Sequence, residues 1–317
     1  MKKERQKSRS VAKPSDPFSS PPVREGTIIA HRGVAVDVAW DDGERGAVRA
    51  KRRSGHVVGD RVQVVGEVMK QLPRQTELRR RDAHGGIHLV GANLDILGIV
   101  VAPMPLPPGF TDRAIVSARA ADLEPFIIIN KCDLAASAEL VRSINATYTG
   151  AVPIFPVSAS TGISLMLLRE FIKGHRGAFV GTTGVGKSSL LNALCPESDL
   201  KVGEINVEKD RGRHTTTVST LHFLSTGGEL IDTPGFQDFG LVDISAEELA
   251  EYFPGFEKTG EHSCRFRDCR HRTEPGCAVV ALVKEGRVLE ERYETYLEIL
   301  NEVEAGEAEA RRREWKK

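Results

Sequence analysis

Several features are scarce in this sequence of 317 residues, and each scarcity excludes a class of protein. No apolar run approaches the ~18 residues of a membrane span, and the basic start at Met1 lacks the hydrophobic core of a signal peptide. The five cysteines are an odd number, and three of them lie within residues 264–277, a spacing that favours a metal site over disulfide bonds. We therefore expect a soluble cytoplasmic protein with two or three domains of roughly 100–200 residues.

A net charge of either sign is also absent, because 44 Lys and Arg balance 44 Asp and Glu. The balance is a cancellation between two parts of the chain. Residues 1–81 carry 19 Lys and Arg against 10 Asp and Glu, whereas the remaining residues carry 25 against 34. Such asymmetry is typical of a basic interaction region attached to an acidic body.

Composition and hydrophobic patterning predict a multi-domain protein that begins with a small barrel. Lys, Ser and Pro are abundant in residues 1–22, which predicts a disordered tail. Residues 23–75 contain short β-branched stretches separated by turns. This pattern favours an OB-fold β-barrel, with a small β-sandwich or an SH3-like barrel as the alternative. Arginines in and beside residues 76–89 predict a basic linker there.

The rest of the chain divides into an α/β domain and a helical C-terminal region. Across residues 90–245, buried-strand patterns alternate with helical ones, which predicts a parallel sheet covered by helices. Residues 246–317 combine a Cys/His cluster with a charged, mostly α-helical segment. The helix carries an apolar stripe, expected to pack against the body of the protein, at Leu289, Tyr293, Tyr296, Leu300 and Val303.

A phosphate-binding motif of the form G-x-x-x-x-G-K-[ST] lies in the α/β region. It follows a strand at residues 178–180 and precedes a helix, the context that the motif requires. Backbone N–H groups and the helix N-terminus would surround the phosphates, while Lys187 would reach the β- and γ-phosphates and Ser188 would bind Mg²⁺. The predicted nucleotide-binding residues are Gly181, Thr182, Thr183, Gly184, Val185, Gly186, Lys187, Ser188 and Ser189.

Two further motifs predict that the base is guanine. Asn130, Lys131, Cys132 and Asp133 end a strand and are similar to the N-K-x-D motif of GTPases. An ionised Asp only accepts hydrogen bonds, so Asp133 can accept from guanine N1–H and the 2-amino group, whereas adenine has neither donor there. Ser158 and Ala159 follow the next strand and resemble the second guanine loop.

The two switch motifs follow the phosphate loop, so the motif order is rotated. Asp232 and Gly235 resemble the D-x-x-G motif, which holds Mg²⁺ through water and meets the γ-phosphate. Thr216, with Thr215 as the alternative, is the expected switch I ligand of Mg²⁺. A typical GTPase has the guanine motifs last, whereas here they come first. The order predicts a circularly permuted P-loop GTPase domain.

The predicted catalytic residues lie in switch I. Phe236 follows Gly235, where many GTPases have a Gln that orients the attacking water. Phe has no hydrogen-bonding group, so we expect slow hydrolysis alone and faster hydrolysis with a partner. His214 is the nearest candidate in sequence to position the attacking water, and it lies two residues before the expected Mg²⁺ ligand Thr216. The alternative interpretation is that His214 is only a polar residue of the loop.

The clustered cysteines form a C-x₄-C-x-H-x₅-C pattern with a histidine. Three thiolates and one imidazole are the donor set of a closed structural Zn²⁺ site, and they come from Cys264, Cys269, His271 and Cys277. Apolar residues are few here, so one zinc ion would supply the folding energy. Free thiols are the alternative, and His262 is a competing ligand. Four arginines between the ligands make this loop a second candidate RNA surface: Arg265, Arg267, Arg270 and Arg272.

Basic residues in the barrel predict contacts with RNA phosphates, which position a protein without specifying sequence. They are Arg45, Arg49, Lys51, Arg52 and Arg53. Trp40 is the only large aromatic nearby, so we expect recognition of backbone and shape rather than base stacking. A solvated basic face is the alternative interpretation.

These motifs together resemble the ribosome-small-subunit-dependent GTPase A family, the bacterial GTPases of small-subunit biogenesis. The resemblance covers about residues 25–300 and includes the segments at residues 91–95 and 212–217. It implies an OB-fold that contacts ribosomal RNA, a GTPase stimulated by the 30S subunit, and a catalytic role for His214. Ser160 departs from the family, which more often has Lys or Leu after Ser-Ala.

The resemblance implies a role in late 30S maturation, with hydrolysis promoting release of the protein. The expected ligands are GTP or GDP, Mg²⁺ and one Zn²⁺, the expected partners are the 30S subunit and its rRNA, and the expected state is a monomer without membrane contact. A zinc-containing RNA-binding assembly module that uses guanine nucleotide only as a structural ligand is the alternative. A GTPase with a protein target and no RNA is a third interpretation.

Overall fold

The computed structural model describes residues 22–51, 54–81, 86–196, 219–232, 241–242, 244–257 and 263–315. Within these ranges, no helix is long and apolar enough to cross a membrane. The predicted tail therefore lies outside the described residues, except for Pro22. Arg52, Arg53, His214, Thr216 and Gly235 also lie outside them.

The N-terminal region is a five-stranded antiparallel sheet with the order β3-β2-β1-β4-β5. Its strands are β1 (Val23–His31), β2 (Ala35–Trp40), β3 (Arg45–Arg49), β4 (Arg61–Val65) and β5 (Val68–Gln71). Alternate residues such as Val36, Val38 and Trp40 face a small core, which explains the period of two in the sequence. No pairing of β3 with β5 occurs in the described strands. The OB-fold itself stays a prediction.

The segment predicted as a basic linker forms a strand pair instead. β6 (Glu77–Arg81) and β7 (Ile87–Ala92) pair antiparallel as a two-stranded sheet. Leu78 is buried while Arg79 faces solvent, so the strand has one apolar anchor among arginines. The run of basic residues concealed this alternation in the sequence, and the expectation of a plain linker at residues 76–89 is corrected.

The central region has the predicted parallel sheet, in the order β10-β9-β8-β11-β13. Its strands are β8 (Ile96–Val101), β9 (Glu124–Ile129), β10 (Ile154–Pro156), β11 (Arg176–Val180) and β13 (Glu229–Asp232). Every residue of β8 is buried, as expected for a parallel strand covered on both faces. β12 (Thr220–Phe223) adds antiparallel to β13 and pairs with β1 at Ala30 and Thr220, so one sheet continues into the N-terminal region.

Helices cover both faces of this sheet and enclose separate cores. They are α1 (Phe110–Ala120), α2 (Ser137–Tyr148), α3 (Leu165–Ile172) and α4 (Lys187–Leu194). The C-terminal region adds a third core, which includes Val116 of α1. Its helices are α5 (Leu249–Tyr252), α6 (Ala278–Lys284) and α7 (Glu290–Glu314).

Helix α7 packs on α1, which confirms the predicted role of the apolar stripe. Tyr296, Leu300 and Val303 are buried, whereas Leu289 precedes the helix and is 47% exposed. A buried ion pair lies in the same contact, because the Arg292 guanidinium donates to the Asp112 carboxylate at 2.8 Å. Such a pair is costly to break, since either charge alone would remain buried.

Candidate functional site

The phosphate-loop motif lies at the carboxyl end of β11, beside the ends of β8 and β9. Gly184 and Gly186 have φ angles of 84° and 95°, in the region that favours glycine. A Cβ atom at Gly181 would lie 2.4 Å from the Val100 carbonyl oxygen, and one at Gly186 would lie 2.4 Å from Asn130 Nδ2. The glycines therefore allow the loop to pass close to two neighbouring strands, and Gly186 caps the start of α4.

Lys187 and Asp232 are the charged groups beside this loop. The Lys187 ammonium donates to the carbonyl oxygens of Gly181 and Thr182 at 2.6 and 3.0 Å. Burial lowers the pKa of Lys187, and the Asp232 charge opposes that shift. Burial likewise raises the pKa of Asp232, opposed by His222 and Lys187. An anionic phosphate near Lys187 and a cation near Asp232 would both offset this desolvation.

Asn130 connects the phosphate loop to the second guanine loop. Its side chain is buried, and its Nδ2 donates to the Val185 carbonyl at 2.8 Å. Its Oδ1 accepts from the Ala159 backbone N–H at 3.1 Å. The backbone N–H of Asn130 donates to Val101 of β8, which fixes the residue at the strand end. One side chain thus holds together loops that are 55 and 29 residues away in sequence.

Lys131 and Cys132 continue the motif against the same loops. Lys131 has a φ of 64°, and its ammonium donates to the Gly184 carbonyl at 2.7 Å. The Cys132 backbone N–H donates to Val157, and its thiol donates to the Ile129 carbonyl at 3.1 Å. Lys131 therefore spans the space between the guanine motif and the phosphate loop.

Asp133 and Ser158 form the end of the site where a base would lie. The Ser158 hydroxyl donates to Asp133 Oδ1 at 2.6 Å. Ser158 is fully buried, whereas Asp133 is exposed. The Ser158 hydroxyl, assisted by a backbone N–H, holds the pKa of Asp133 below its usual value. The carboxylate is therefore ionised near neutral pH and available as an acceptor.

The structure brings together the described part of the predicted nucleotide site. The two guanine loops, the phosphate loop and Asp232 converge through the contacts of Asn130, Lys131 and Lys187. Ser188 and Ser189 lie in the first turn of α4. The switch I residues and Gly235 lie outside the described residues, so their roles stay predictions.

The Cys/His cluster brings together four side chains that could hold a metal ion. One ligand atom from each residue lies within 4.8 Å of the others in the set Cys264, Cys269, His271 and Cys277. The His271 Nδ1 is 3.5, 3.6 and 3.4 Å from the three sulfur atoms. Tetrahedral zinc with bonds of about 2.1 Å to N and about 2.3 Å to S requires N···S separations near 3.6 Å. These residues therefore fit a zinc ion bound through Nδ1.

Burial and hydrogen bonding support the ligand role of this cluster. Burial raises the pKa of Cys269 to about 12 and lowers the pKa of His271, so a cation would be needed to hold thiolates here. Backbone N–H groups of Ala278 and Val280 point at the sulfurs of Cys264 and Cys277.

Two tyrosines of α7 hold the metal loop, a role that the sequence did not reveal. The Tyr293 hydroxyl donates to the His271 carbonyl at 2.8 Å, and the Tyr296 hydroxyl donates to the Arg270 carbonyl at 3.1 Å. The spacing of these two tyrosines in the sequence predicted only that they belong to the apolar stripe of the helix. The polar ends of the same side chains fix the backbone between the ligands.

The arginines of the metal loop divide into two groups. Arg270 pairs with Glu247 at 3.0 Å, and Arg272 pairs with Glu304 at 2.7 Å. Because these two side chains form internal ion pairs, they are less available to RNA phosphates than the sequence suggested. Arg265 and Arg267 are exposed.

The basic side chains of the N-terminal sheet region lie on its surface where the structure describes them. Arg45, Arg49 and Lys51 are exposed, and the Arg45 guanidinium lies over the Phe223 ring of β12 at 5.4 Å. Arg49 and Lys51 line a concavity of about 940 Å³, and the largely buried Trp40 also contributes to its lining. The surface therefore places cationic groups beside apolar side chains.

Comparisons with known proteins agree with this arrangement. A profile of the RsgA GTPase family matches residues 71–242. A small ribosomal subunit biogenesis GTPase RsgA of Pseudomonas savastanoi pv. phaseolicola is 40% identical over 88% of this chain and 85% of its own length. The protein of the same name from Pseudomonas aeruginosa (strain LESB58) is also 40% identical, with the same coverage of both chains.

Two solved structures share the fold. YjeQ from Thermotoga maritima superposes with a TM-score of 0.71 at 31% identity, covering 89% of this chain and 99% of that one. YloQ, described as a circularly permuted GTPase, gives a TM-score of 0.68 at 26% identity, covering 93% and 98%. The predicted family and GTPase class are confirmed, and the chain belongs to the RsgA GTPase family.

Proposed function

We propose that this GTPase binds guanine nucleotide where the three described loops meet and uses GTP hydrolysis in late maturation of the 30S subunit. The observation that carries the proposal is the double contact of Asn130. This side chain connects the phosphate loop to the second guanine loop, so phosphate and base recognition share one framework.

Each loop has a distinct role in this proposal. Asp133, fixed by Ser158, accepts from the guanine N1–H and 2-amino groups, and the Lys131 stem lies along the base. Backbone N–H groups of residues 181–189 and the α4 N-terminus surround the phosphates. When a phosphate binds, the Lys187 ammonium donates to phosphate oxygens instead of to the carbonyl oxygens of the loop.

Hydrolysis depends on residues at the γ-phosphate end. Ser188 and Thr216 would bind Mg²⁺, Asp232 would hold it through water, and the ion would stabilise the charge that develops on the phosphates. His214 would position the attacking water, and the Gly235 N–H would meet the γ-phosphate. Because Phe236 has no hydrogen-bonding group, isolated turnover is slow and rises on the 30S subunit.

The remaining surfaces serve the ribosomal partner. The barrel, which we assign to the OB-fold class, contacts rRNA phosphates through Arg45, Arg49 and Lys51, with Arg52 and Arg53 beside them. The Cys₃His centre holds a single structural Zn²⁺ that orders the loop on α7. The named function of the relatives, small ribosomal subunit biogenesis, supports the choice of the 30S subunit.

Co-sedimentation with 30S subunits tests the proposal when combined with GTP turnover. The monomeric protein should bind 30S subunits more tightly with a non-hydrolysable GTP analogue than with GDP, because hydrolysis promotes release. Turnover should rise when 30S subunits are added. Turnover that does not change with 30S subunits would favour the alternative, in which guanine nucleotide is only a structural ligand.

A further inference from the structure

A second serine stands beside the carboxylate that the proposed function assigns to guanine. The Ser158 hydroxyl donates to Asp133 Oδ1 at 2.6 Å, and its oxygen lies 3.0 Å from the Ser160 hydroxyl oxygen. The backbone N–H of Thr161 also donates to Ser158 Oγ, at 3.2 Å. Three polar groups therefore converge on one hydroxyl.

Proton counting fixes the direction of these hydrogen bonds. A serine hydroxyl has one donor and two acceptor positions. The single Ser158 proton points to Asp133, so Ser158 Oγ accepts from the Thr161 amide and from the Ser160 hydroxyl. Ser160 is thus the first donor of a chain that ends on a negative charge, and hydrogen bonds in such a chain strengthen one another.

The exposure of the Asp133 side chain explains why its carboxylate needs support from neighbouring groups. Ser158 is fully buried, whereas Asp133 and Ser160 are exposed. The terminal torsion of an Asp side chain has a broad energy minimum, so an exposed carboxylate rotates easily. Ser158 first, and Ser160 to a smaller degree, hold the pKa of Asp133 below its usual value. Both hydroxyls therefore stabilise the charged form.

We propose that Ser160 is a positioning residue that sets guanine specificity. Acting through Ser158, it holds the Asp133 carboxylate in the orientation that accepts from both N1–H and the 2-amino group of the base. The inference rests on the proposed function, in which Asp133 meets guanine.

Inosine diphosphate provides the probe, because it keeps N1–H and lacks the 2-amino group. The ratio of GDP to IDP affinity therefore reports the placement of the second carboxylate oxygen. In the full chain, Ser160→Ala should lower GDP affinity about fivefold and IDP affinity by less than about twofold, the scale of one partly exposed hydrogen bond. Ser160→Thr keeps the hydroxyl and should restore both values.

Thr161→Ala is the matched control, because it removes a neighbouring exposed hydroxyl and keeps the backbone N–H that contacts Ser158. Its GDP and IDP affinities should equal those of the wild type. Unchanged affinities in Ser160→Ala, or an equal loss for GDP and IDP, overturn the inference and leave the guanine site standing. A wild-type chain that binds ADP as well as GDP overturns the proposed function, and the inference with it.

Discussion

Replacement of Asn130 with alanine should separate the two halves of the nucleotide site. The side chain is 2% exposed, and it satisfies the Val185 carbonyl at 2.8 Å and the Ala159 amide at 3.1 Å. Leaving a buried polar group without a partner costs about 1–3 kcal/mol. With two such groups, we expect the free loops to relax into other positions that satisfy them. Nucleotide binding must then restore the original arrangement at a cost of about 2–4 kcal/mol.

This energy corresponds to a loss of roughly 30- to 1000-fold in GDP affinity, since about 1.4 kcal/mol is tenfold. Equilibrium titration with a fluorescent GDP analogue measures it directly. Asn130→Asp separates the two contacts, because it keeps the acceptor for Ala159 and loses the donor to Val185. We expect that variant to bind GDP poorly as well, since its carboxylate would face a carbonyl oxygen.

Asn145→Ala is the control for a general loss of an asparagine amide. Asn145 lies on α2 and donates to the Val141 carbonyl one helical turn away, outside the nucleotide site. Its GDP affinity should match that of the wild type. If Asn130→Ala binds GDP within threefold of the wild type while remaining folded by circular dichroism, the reasoning about the shared framework is refuted.

Three other predictions concern the metal centre, the basic surface and pH. Cys277→Ser removes one ligand of the tetrahedral set and should abolish stoichiometric zinc in native mass spectrometry; retained zinc would count against a Cys₃His site. Arg49→Ala combined with Lys51→Ala should reduce the salt dependence of 30S binding by about one to two units of the log–log slope, and an unchanged slope would exclude these phosphate contacts. Burial lowers the pKa of His56 in the folded protein. As the pH falls, this imidazole is therefore protonated in the unfolded chain before it is protonated in the folded one. The free energy of unfolding should consequently fall as the pH drops below ~6.5. His56→Gln should weaken that dependence in urea titrations, and an identical pH profile would contradict it.

Contiguous motifs made the nucleotide site largely predictable from the sequence. The phosphate loop and the guanine motif each consist of a few adjacent residues after a strand. Their residue types at fixed spacing identify them without any knowledge of the fold. The strands β8 and β9 were equally clear, because burial on both faces favours a nearly continuous run of apolar residues. The Cys/His spacing likewise predicted a set that the fold brings together.

Contacts between distant segments could not be predicted in the same way. The hydrogen bond from Asn130 to Val185 joins residues that are 55 positions apart, and it depends on which strands are neighbours. The continuation of the sheet from β12 into β1 rests on a single register position, Ala30 with Thr220. No local pattern encodes either contact.

Arg176 is a further example of a residue whose role depends on topology. Its guanidinium pairs with Glu229 at 2.5 Å and donates to the Gly59 carbonyl of the N-terminal region at 3.0 Å. Asn93, at a φ of 56°, donates to the same carbonyl at 2.9 Å. These side chains fix the N-terminal sheet region to the α/β domain, although each appears in the sequence as an ordinary polar residue.

The most direct test of the account is the base preference of the full chain and of Asp133→Asn. The wild type should bind GDP at least about 100-fold more tightly than ADP, because adenine offers no hydrogen-bond donor to the Asp133 carboxylate. Asp133→Asn should lose GDP and gain xanthosine diphosphate, since the amide N–H₂ can donate to the 2-oxygen of xanthine. Equal affinity for GDP and ADP in the wild type, or an Asp133→Asn variant with an unaltered preference, would contradict the guanine site.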